Sequence, residues 1–263
     1  MQIDKTSCLQ LLDEFGIVPS KDKGQNYLIN PAVAKRIVSS LPIEETDKVL
    51  EIGPGLGSLT HYLDEKYNNL TLVDIDTNTC KVLKELYPHQ NVVNADALKC
   101  NISLFEKIIS NIPYSITSDL LEYILLNGEK LEQGVFMVQE DAYKRIVSLK
   151  GKDYGPLSVL MHLKGEIKPL FKVGPSDFYP RPNCVSIVFS ISVTNKYKVG
   201  KREYHAIKTL FTNRRKTLLN NLTLLTTKEK AEGYLDRMNL SLKTRPEEIS
   251  PETYLKLVSL YLQ

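Results

Sequence analysis

The chain has no uninterrupted apolar run of the length a membrane span needs, and its first residues, Met1-Gln2-Ile3-Asp4-Lys5, lack the pattern of a secretory signal. Both absences lead us to expect a chain that folds in water with no membrane partner. Cysteine is scarce: Cys8, Cys80, Cys100 and Cys184 are scattered with no paired spacing. That argues against a disulfide framework and against a zinc site, and the expectation is buried free thiols in a reducing cytoplasm. There is no internal repeat and no low-complexity run, which argues against a repeat array or a long disordered tail.

What is present is ordinary in bulk and uneven in detail. With 263 residues, 42% hydrophobic and 25% charged, the chain fits one large domain or a medium domain plus a small one. The formal charge of +3 hides an asymmetry. Residues 196–245 hold 13 Lys and Arg against 4 Asp and Glu, a local +9, while the remainder carries −6. A basic segment on a mildly acidic body suits a polyanion-binding module beside a core with another task; a solvated helical face has the same composition.

Four apolar runs end in polar or glycine-bearing residues. Lys48-Val49-Leu50-Glu51-Ile52 runs into Gly53-Pro54-Gly55-Leu56-Gly57, and Leu59 and Leu63 then continue as one helix face. Strand, glycine turn and helix together form the context of a nucleotide-type loop, because glycines allow a tight turn and close backbone approach to a ligand. The spacing Glu-x-Gly-x-Gly-x-Gly differs from that of dinucleotide binders, and Glu51 argues against a neighbouring pyrophosphate. It suits a ligand with a cationic amino or sulfonium centre. Leu70 to Val73 ends in Asp74, 21 residues after Gly53, where such folds place an acid on ribose hydroxyls; Asp76 suits a helix cap. Asn91 to Asn94 leads to Asp96-Ala97, where Asp96 could accept from an adenine amine or serve as a turn acid.

The fourth run delivers Asn111-Ile112-Pro113-Tyr114. An amide, a proline and an aromatic there suit gripping a planar, amine-bearing ring. The Asn111 oxygen and a backbone carbonyl of Ile112-Pro113 accept from the amine while Tyr114 stacks on the ring, although the same residues also make a plain turn. Upstream, the polar loop through Lys21, Lys23, Gly24 and Asn26 to Leu28 precedes a helix opened by Pro31. Downstream, Pro175 to Pro182 reads as a proline-rich loop too stiff for a strand, with Phe178 or Tyr179 as a second base face and Arg181 near phosphates. From about Lys196 the pattern is helical, with a bend or a snorkelling Arg214 expected at Asn213-Arg214-Arg215-Lys216.

In this order the motifs resemble the KsgA family, the small-subunit ribosomal RNA dimethyladenosine transferases. They are Gly-Gln-Asn-Tyr-Leu (24–28), Glu-Ile-Gly-Pro-Gly-Leu-Gly (51–57), Asn-Ile-Pro-Tyr (111–114), Tyr-Gly-Pro-Leu-Ser-Val-Leu (154–160), Pro-Ser-Asp-Phe-Tyr-Pro-Arg-Pro (175–182) and Asn-Arg-Arg-Lys-Thr-Leu-Leu-Asn-Asn-Leu (213–222). The resemblance implies an α/β fold. A Rossmann-like class I S-adenosylmethionine-dependent methyltransferase sheet would occupy 1–192, with loop 21–30 over the cofactor site, and a small all-helical RNA-binding domain would occupy 193–263. It implies S-adenosylmethionine and no metal, two adjacent adenines near the 3′ end of small-subunit (16S) rRNA in an assembling 30S-type particle, a monomer, and a cytoplasmic location.

Carried over by position, Asn26, Leu28, Gly53, Asp74, Asp96 and Asn111 match cofactor contacts, and we add Glu51, Gly55 and Ala97. Asn111, Ile112, Pro113, Tyr114 and Phe178 are the expected catalytic set. Lys21, Lys23, Arg181, Arg214, Arg215 and Lys216 are expected on RNA. Three departures stand out: Asp74 where Glu is usual, Ser110 where Gly commonly precedes the Asn, and Asn183 in place of a frequent Lys. The rivals are a large-subunit (23S) adenine methyltransferase of the macrolide-resistance type and a non-catalytic RNA-binding assembly factor; the intact glycine and Asn-x-Pro-Tyr motifs disfavour the latter. Glycine spacing makes a nicotinamide dehydrogenase a poor fit.

Overall fold

The computed structural model describes residues 1–20, 24–67, 69–194 and 196–263. Its strands are β1 (Tyr27–Leu28), β2 (Val49–Ile52), β3 (Leu70–Asp74), β4 (Asn91–Asn94), β5 (Lys107–Asn111), β6 (Gln133–Gln139), β7 (Gly165–Val173), β8 (Phe178–Tyr179) and β9 (Ser186–Val193). Its helices are α1 (Lys5–Glu14), α2 (Pro31–Ser39), α3 (Thr60–Asp64), α4 (Thr77–Leu86), α5 (Thr117–Asn127), α6 (Glu140–Val147), α7 (Pro156–Lys164), α8 (Lys201–Leu210), α9 (Leu218–Leu222), α10 (Lys228–Arg237) and α11 (Pro251–Leu262).

Seven strands form one sheet in the order β4-β3-β2-β5-β6-β9-β7. The pairs from β4 to β6 are parallel, and β9 pairs with β6 antiparallel. All four residues of β2 are buried, as a strand between two neighbours and two covered faces requires, whereas β4 at the edge exposes Asn91 and Asn94. The chain winds outward from β2 through β3 to β4, then returns to start β5 on the other side of β2. The carboxyl ends of β2 and β5 therefore flank the point where the winding reverses, and open α/β sheets bind ligands in the crevice there.

Helix starts follow local capping rules. Asn30 accepts from the N–H groups of Ala32 and Val33 with Pro31 in the first turn of α2, and Asp76 accepts from Asn78 and Thr79 at α4. The apolar faces of α2, α3 and α4, with Ile37, Leu63 and Leu83, close one core cluster against Val49, Leu72 and Ile109 of the sheet.

By compactness the described chain divides into two units, Met1–Ala142 with Ile167–Val193, and Tyr143–Glu166 with Thr194–Gln263. The sequence places a single cut near 192–193; the structure instead groups 143–166 with the C-terminal helices. Within that second unit α7 packs on α8 and α11 around Tyr154, Phe211 and Tyr254, an association between segments distant along the chain. The expected bend at 213–216 is present, as a run of turns between α8 and α9.

Candidate active site

The carboxyl ends of β2 to β5 surround a cavity of ≈ 360 Å³, within the range of small-molecule sites. Its walls include Glu51, Gly53 and Gly55 after β2, Asp74 after β3, and Asp96 and Ala97 after β4. Asn111, Ile112, Pro113 and Tyr114 after β5 complete that side, and Asn26 and Leu28 close it from the N-terminal segment. Twelve residues singled out by sequence thus share one cavity because parallel strands deliver their ends to one sheet edge.

The glycine turn is held from both sides. Gly53 (φ +66°) and Gly55 (φ +55°) adopt left-handed backbone that side chains disfavour. A Cβ on Gly55 would also lie 3.1 Å from the Tyr27 ring. Tyr27 was not singled out as a site residue, yet it lines the cavity and its buried hydroxyl has no hydrogen-bond partner in the described structure. Asp74 accepts from the N–H groups of Gly55 (3.2 Å) and Asp76 (2.8 Å), which ties the turn to the end of β3. Burial nevertheless holds its carboxyl above the usual carboxylate range.

Glu51 differs from expectation in its charge. It is 2% exposed, accepts from the Thr60 hydroxyl at 2.7 Å, and burial pushes its pKa up to about 8. Burial thus favours its neutral form, and a cation entering beside it would favour the ionised one. Asp96 accepts from the Leu98 N–H and lies 3.7 Å from the Lys99 ammonium, so the turn role is filled while the residue still lines the cavity. Ile75, 67% exposed on the cavity wall beside Asp74, is an apolar platform that only its placement between two acids hinted at.

The N-terminal segment is strapped to the rim. Ser58 donates to the Leu28 carbonyl (2.6 Å), Gln25 donates to Asp76 (3.3 Å), and Asn30 donates to Asp177 (2.7 Å). β1 pairs with β8, Tyr27 opposite Tyr179 and Leu28 opposite Phe178. This corrects two expectations. The proline-rich loop contains a two-residue strand, because its outer edge finds β1 as a partner. Phe178 is 3% exposed within the cluster of Leu28, Ala34 and Ile37, so it has no free face for a base.

Around the fourth strand end, Gly24 packs against the Pro113–Tyr114 backbone. The Pro113 carbonyl accepts from the Ile116 N–H (3.2 Å) and the Thr117 hydroxyl (3.4 Å), and the Ile112 N–H donates to Met137 (3.0 Å). The Tyr114 hydroxyl lies 3.4 Å from that of Ser186, and burial raises its pKa. Ser110, wholly buried, donates to the Ile52 carbonyl at 2.7 Å.

The residues expected on RNA separate. Lys21 and Lys23 lie outside the described residues. Arg181, Arg215 and Lys216 are exposed. Arg214 is exposed as well, but its Nη2 donates to the carbonyls of Tyr154 (2.7 Å) and Gly151 (3.2 Å), so it also serves as a backbone tie. Cys8 and Cys80 are buried free thiols, but Cys100 and Cys184 are only half-buried. Among the described residues no group of His, Cys, Asp and Glu could hold a metal, and no helix is long and apolar enough to cross a membrane.

Comparison with known proteins follows the same line. The family model described as ribosomal RNA adenine dimethylase matches residues 20–263. The chain is 38% identical to the ribosomal RNA small subunit methyltransferase A of Malacoplasma penetrans, covering 90% of each chain. It is 34% identical to the one from Borreliella burgdorferi, covering 96% of this chain and 92% of that one. Among solved structures, a dimethyladenosine transferase from Plasmodium falciparum superposes with a TM-score of 0.75 at 24% identity, covering 88% of this chain and 95% of that one. The 23S rRNA methyltransferase ErmE gives 0.67 at 24% identity, covering 90% and 100%. At that identity both speak for the fold, a Rossmann-like methyltransferase sheet.

Proposed function

The chain belongs to the ribosomal RNA adenine dimethylase family, and from that premise we propose that it methylates two adjacent adenosines near the 3′ end of small-subunit (16S) rRNA. The product is N6,N6-dimethyladenosine, made with S-adenosylmethionine during ribosome biogenesis. The observation that carries the reading is one cavity bounded by the glycine turn, the acids after β3 and β4, and Asn111 to Tyr114.

The cavity's residues fit the methyl donor. Gly53 and Gly55 would allow close backbone approach, Asp74 would hold the ribose hydroxyls, and Asp96, Ala97 and Ile75 would hold the adenine. Asn26 and Leu28 would cover the ligand, and Glu51 would answer its cationic end. When bound, the donor would supply a sulfonium methyl for the amine nitrogen, with a neutral thioether as the leaving group and the displaced amine proton released to solvent.

The chain's own part is placement. The target adenine leaves its stack, since its amine is otherwise out of reach. Tyr114 stacks on the extruded base, its ring steadied through Ser186. The Asn111 side-chain oxygen and the Ile112 carbonyl accept from the amine, the Pro113 carbonyl being occupied within its own turn. Two acceptors favour a more tetrahedral nitrogen whose lone pair points at the methyl, and such placement supplies much of the rate. No strong base is required, because the proton becomes acidic only as the bond forms.

Arg181, Arg215, Lys216, Lys21 and Lys23 contact phosphates, and the helical unit holds the rRNA in an assembling 30S-type particle. The working form is a cytoplasmic monomer. The test is methyl transfer from labelled S-adenosylmethionine to unmethylated small subunits, with large-subunit rRNA in parallel and the nucleosides identified. N6,N6-dimethyladenosine from the small subunit alone is expected. Product from large-subunit RNA alone would move the chain to the resistance type, and no transfer with cofactor binding intact would make it an assembly factor.

A further inference from the structure

The backbone ladder between β2 and β5 ends at the pair Ile52 and Ser110. Past that pair the two strands bond to their outer neighbours. The Gly53 N–H donates to Val73 on one side (2.9 Å), and the Ile112 N–H donates to Met137 on the other (3.0 Å). Beyond Ile52 lies the glycine turn that would hold the methyl donor; beyond Ser110 lies Asn111, which would hold the amine. The two arms remain close: a Cβ on Gly53 would lie 4.0 Å from the Asn111 carbonyl and 3.9 Å from the Pro113 ring. At this fork the Ser110 hydroxyl, wholly buried, donates to the Ile52 carbonyl at 2.7 Å.

We propose that Ser110 is a positioning residue: its hydroxyl ties the donor-holding arm to the acceptor-holding arm and sets the gap across which the methyl moves. The inference rests on the functional reading above. A carbonyl at a strand end can pivot about its last ladder bond, and a hydrogen bond of normal length to a buried hydroxyl restrains it. Reaction geometry is sensitive to displacements of about 1 Å, which cost up to ~100-fold in rate. The second methylation is the more demanding step, because the monomethylated nitrogen is bulkier and has one fewer hydrogen for the two acceptors. Loss of the tie therefore acts most on the second transfer.

The experiment compares wild type with Ser110→Ala, which removes the hydroxyl, and Ser110→Cys, which keeps nearly the same shape with a weak donor. Three readouts are taken: hydrogen exchange of the ligand-free chain, calorimetric binding of S-adenosylmethionine, and single-turnover product analysis. Both variants should exchange faster in peptides covering 52–57 and 110–114 while binding the donor within about twofold of wild type. Both should slow methyl transfer by about tenfold and accumulate N6-monomethyladenosine. Should Ser110→Ala fail to fold, Ser110→Cys carries the comparison. Unchanged exchange with a wholly dimethylated product overturns the proposal, and so does a slow rate matched by an equal loss of donor binding, which marks a purely structural role. A wild-type chain that transfers no methyl overturns the functional reading itself, and this inference with it.

Discussion

Two sets of residues are equally conspicuous in the sequence, and the fold treats them differently. The strand-end set, from Glu51 and Gly53 through Asp74 and Asp96 to Asn111 and Tyr114, lines a cavity. The loop set, Pro175 to Pro182 and Asn213 to Lys216, commits much of its chemistry to holding backbone in place. Asp177 accepts from Asn30 and from the Gly174 N–H, and Arg214 donates to two carbonyls. Asn221, fully buried, accepts from the Asn213 N–H and donates to its carbonyl. The cause is where backbone polar groups find partners. At a parallel strand end the ladder has already satisfied most of them, so the side chains keep a face on the cavity even where, as at Asp74 and Asp96, they also hold a neighbouring N–H. In an irregular loop the side chains must do the satisfying. A motif at a strand end is thus the better candidate for chemistry, and a motif in a loop the better candidate for scaffold.

The strongest way to break that contrast is Asn111→Ala. Methyl transfer should fall ~1,000-fold, the scale seen when a single preorganised polar group is removed from a reacting centre. Binding to small subunits, read by filter retention, should stay near normal. Retained turnover would place Asn111 with the scaffold. Phe178→Ala probes the other side. Denaturant unfolding should show a loss of ~3–5 kcal/mol, as for a buried aromatic, with the folded fraction still active. An inactive variant of undiminished stability would return Phe178 to the site.

A third measurement sharpens the electrostatic part. The ordinary value for Glu51 is 4.5, and burial raises it to about 8. Between those values the folded chain holds a proton that the unfolded chain has released, so stability falls as pH rises from about 5 to about 8. Burial of Asp74 adds in the same direction. Thermal melts across that window should show the decline in wild type and a flatter profile in Glu51→Gln; identical profiles would mean that Glu51 is ionised in the folded chain. The smallest effect separates neighbours. Arg214→Ala should lower the melting temperature by about 2–4 °C and leave the salt dependence of RNA binding unchanged. Arg215→Ala and Lys216→Ala should each reduce the salt slope by about 1 at constant melting temperature. A reversed pattern would make Arg214 the RNA contact.

The strand-end set was legible because its signals are local. Apolar runs, glycines and acids at fixed spacing name both the element and the edge of the sheet it serves. The second roles of Phe178 and Arg214 were hidden for a shared reason: an aromatic or a cation in a loop reads the same whether its partner is a ligand or a segment far along the chain. Asn30 and Asp177 meet across 147 positions, and no spacing rule reaches that far. The α7 segment misled similarly, since sequence order assigned it to the first domain while its apolar face packs on α8 and α11. Ser110 was noticed only as a departure from Gly; nothing local shows that its hydroxyl spans the fork between β2 and β5.

The sequence by itself determined the succession of strands and helices from β2 to β6, the edge at which their polar ends meet, and the break in the helical pattern at 213–216, because each follows from periodicity, glycine and proline within a few residues. Only the tertiary structure decided which aromatic keeps an open face, that burial raises the Glu51 pKa, that Arg214 donates to two carbonyls, and that β1 is closed by β8. Each of these depends on what distant chain removes from water or brings within hydrogen-bond reach, and burial and long-range pairing are properties of the packed chain.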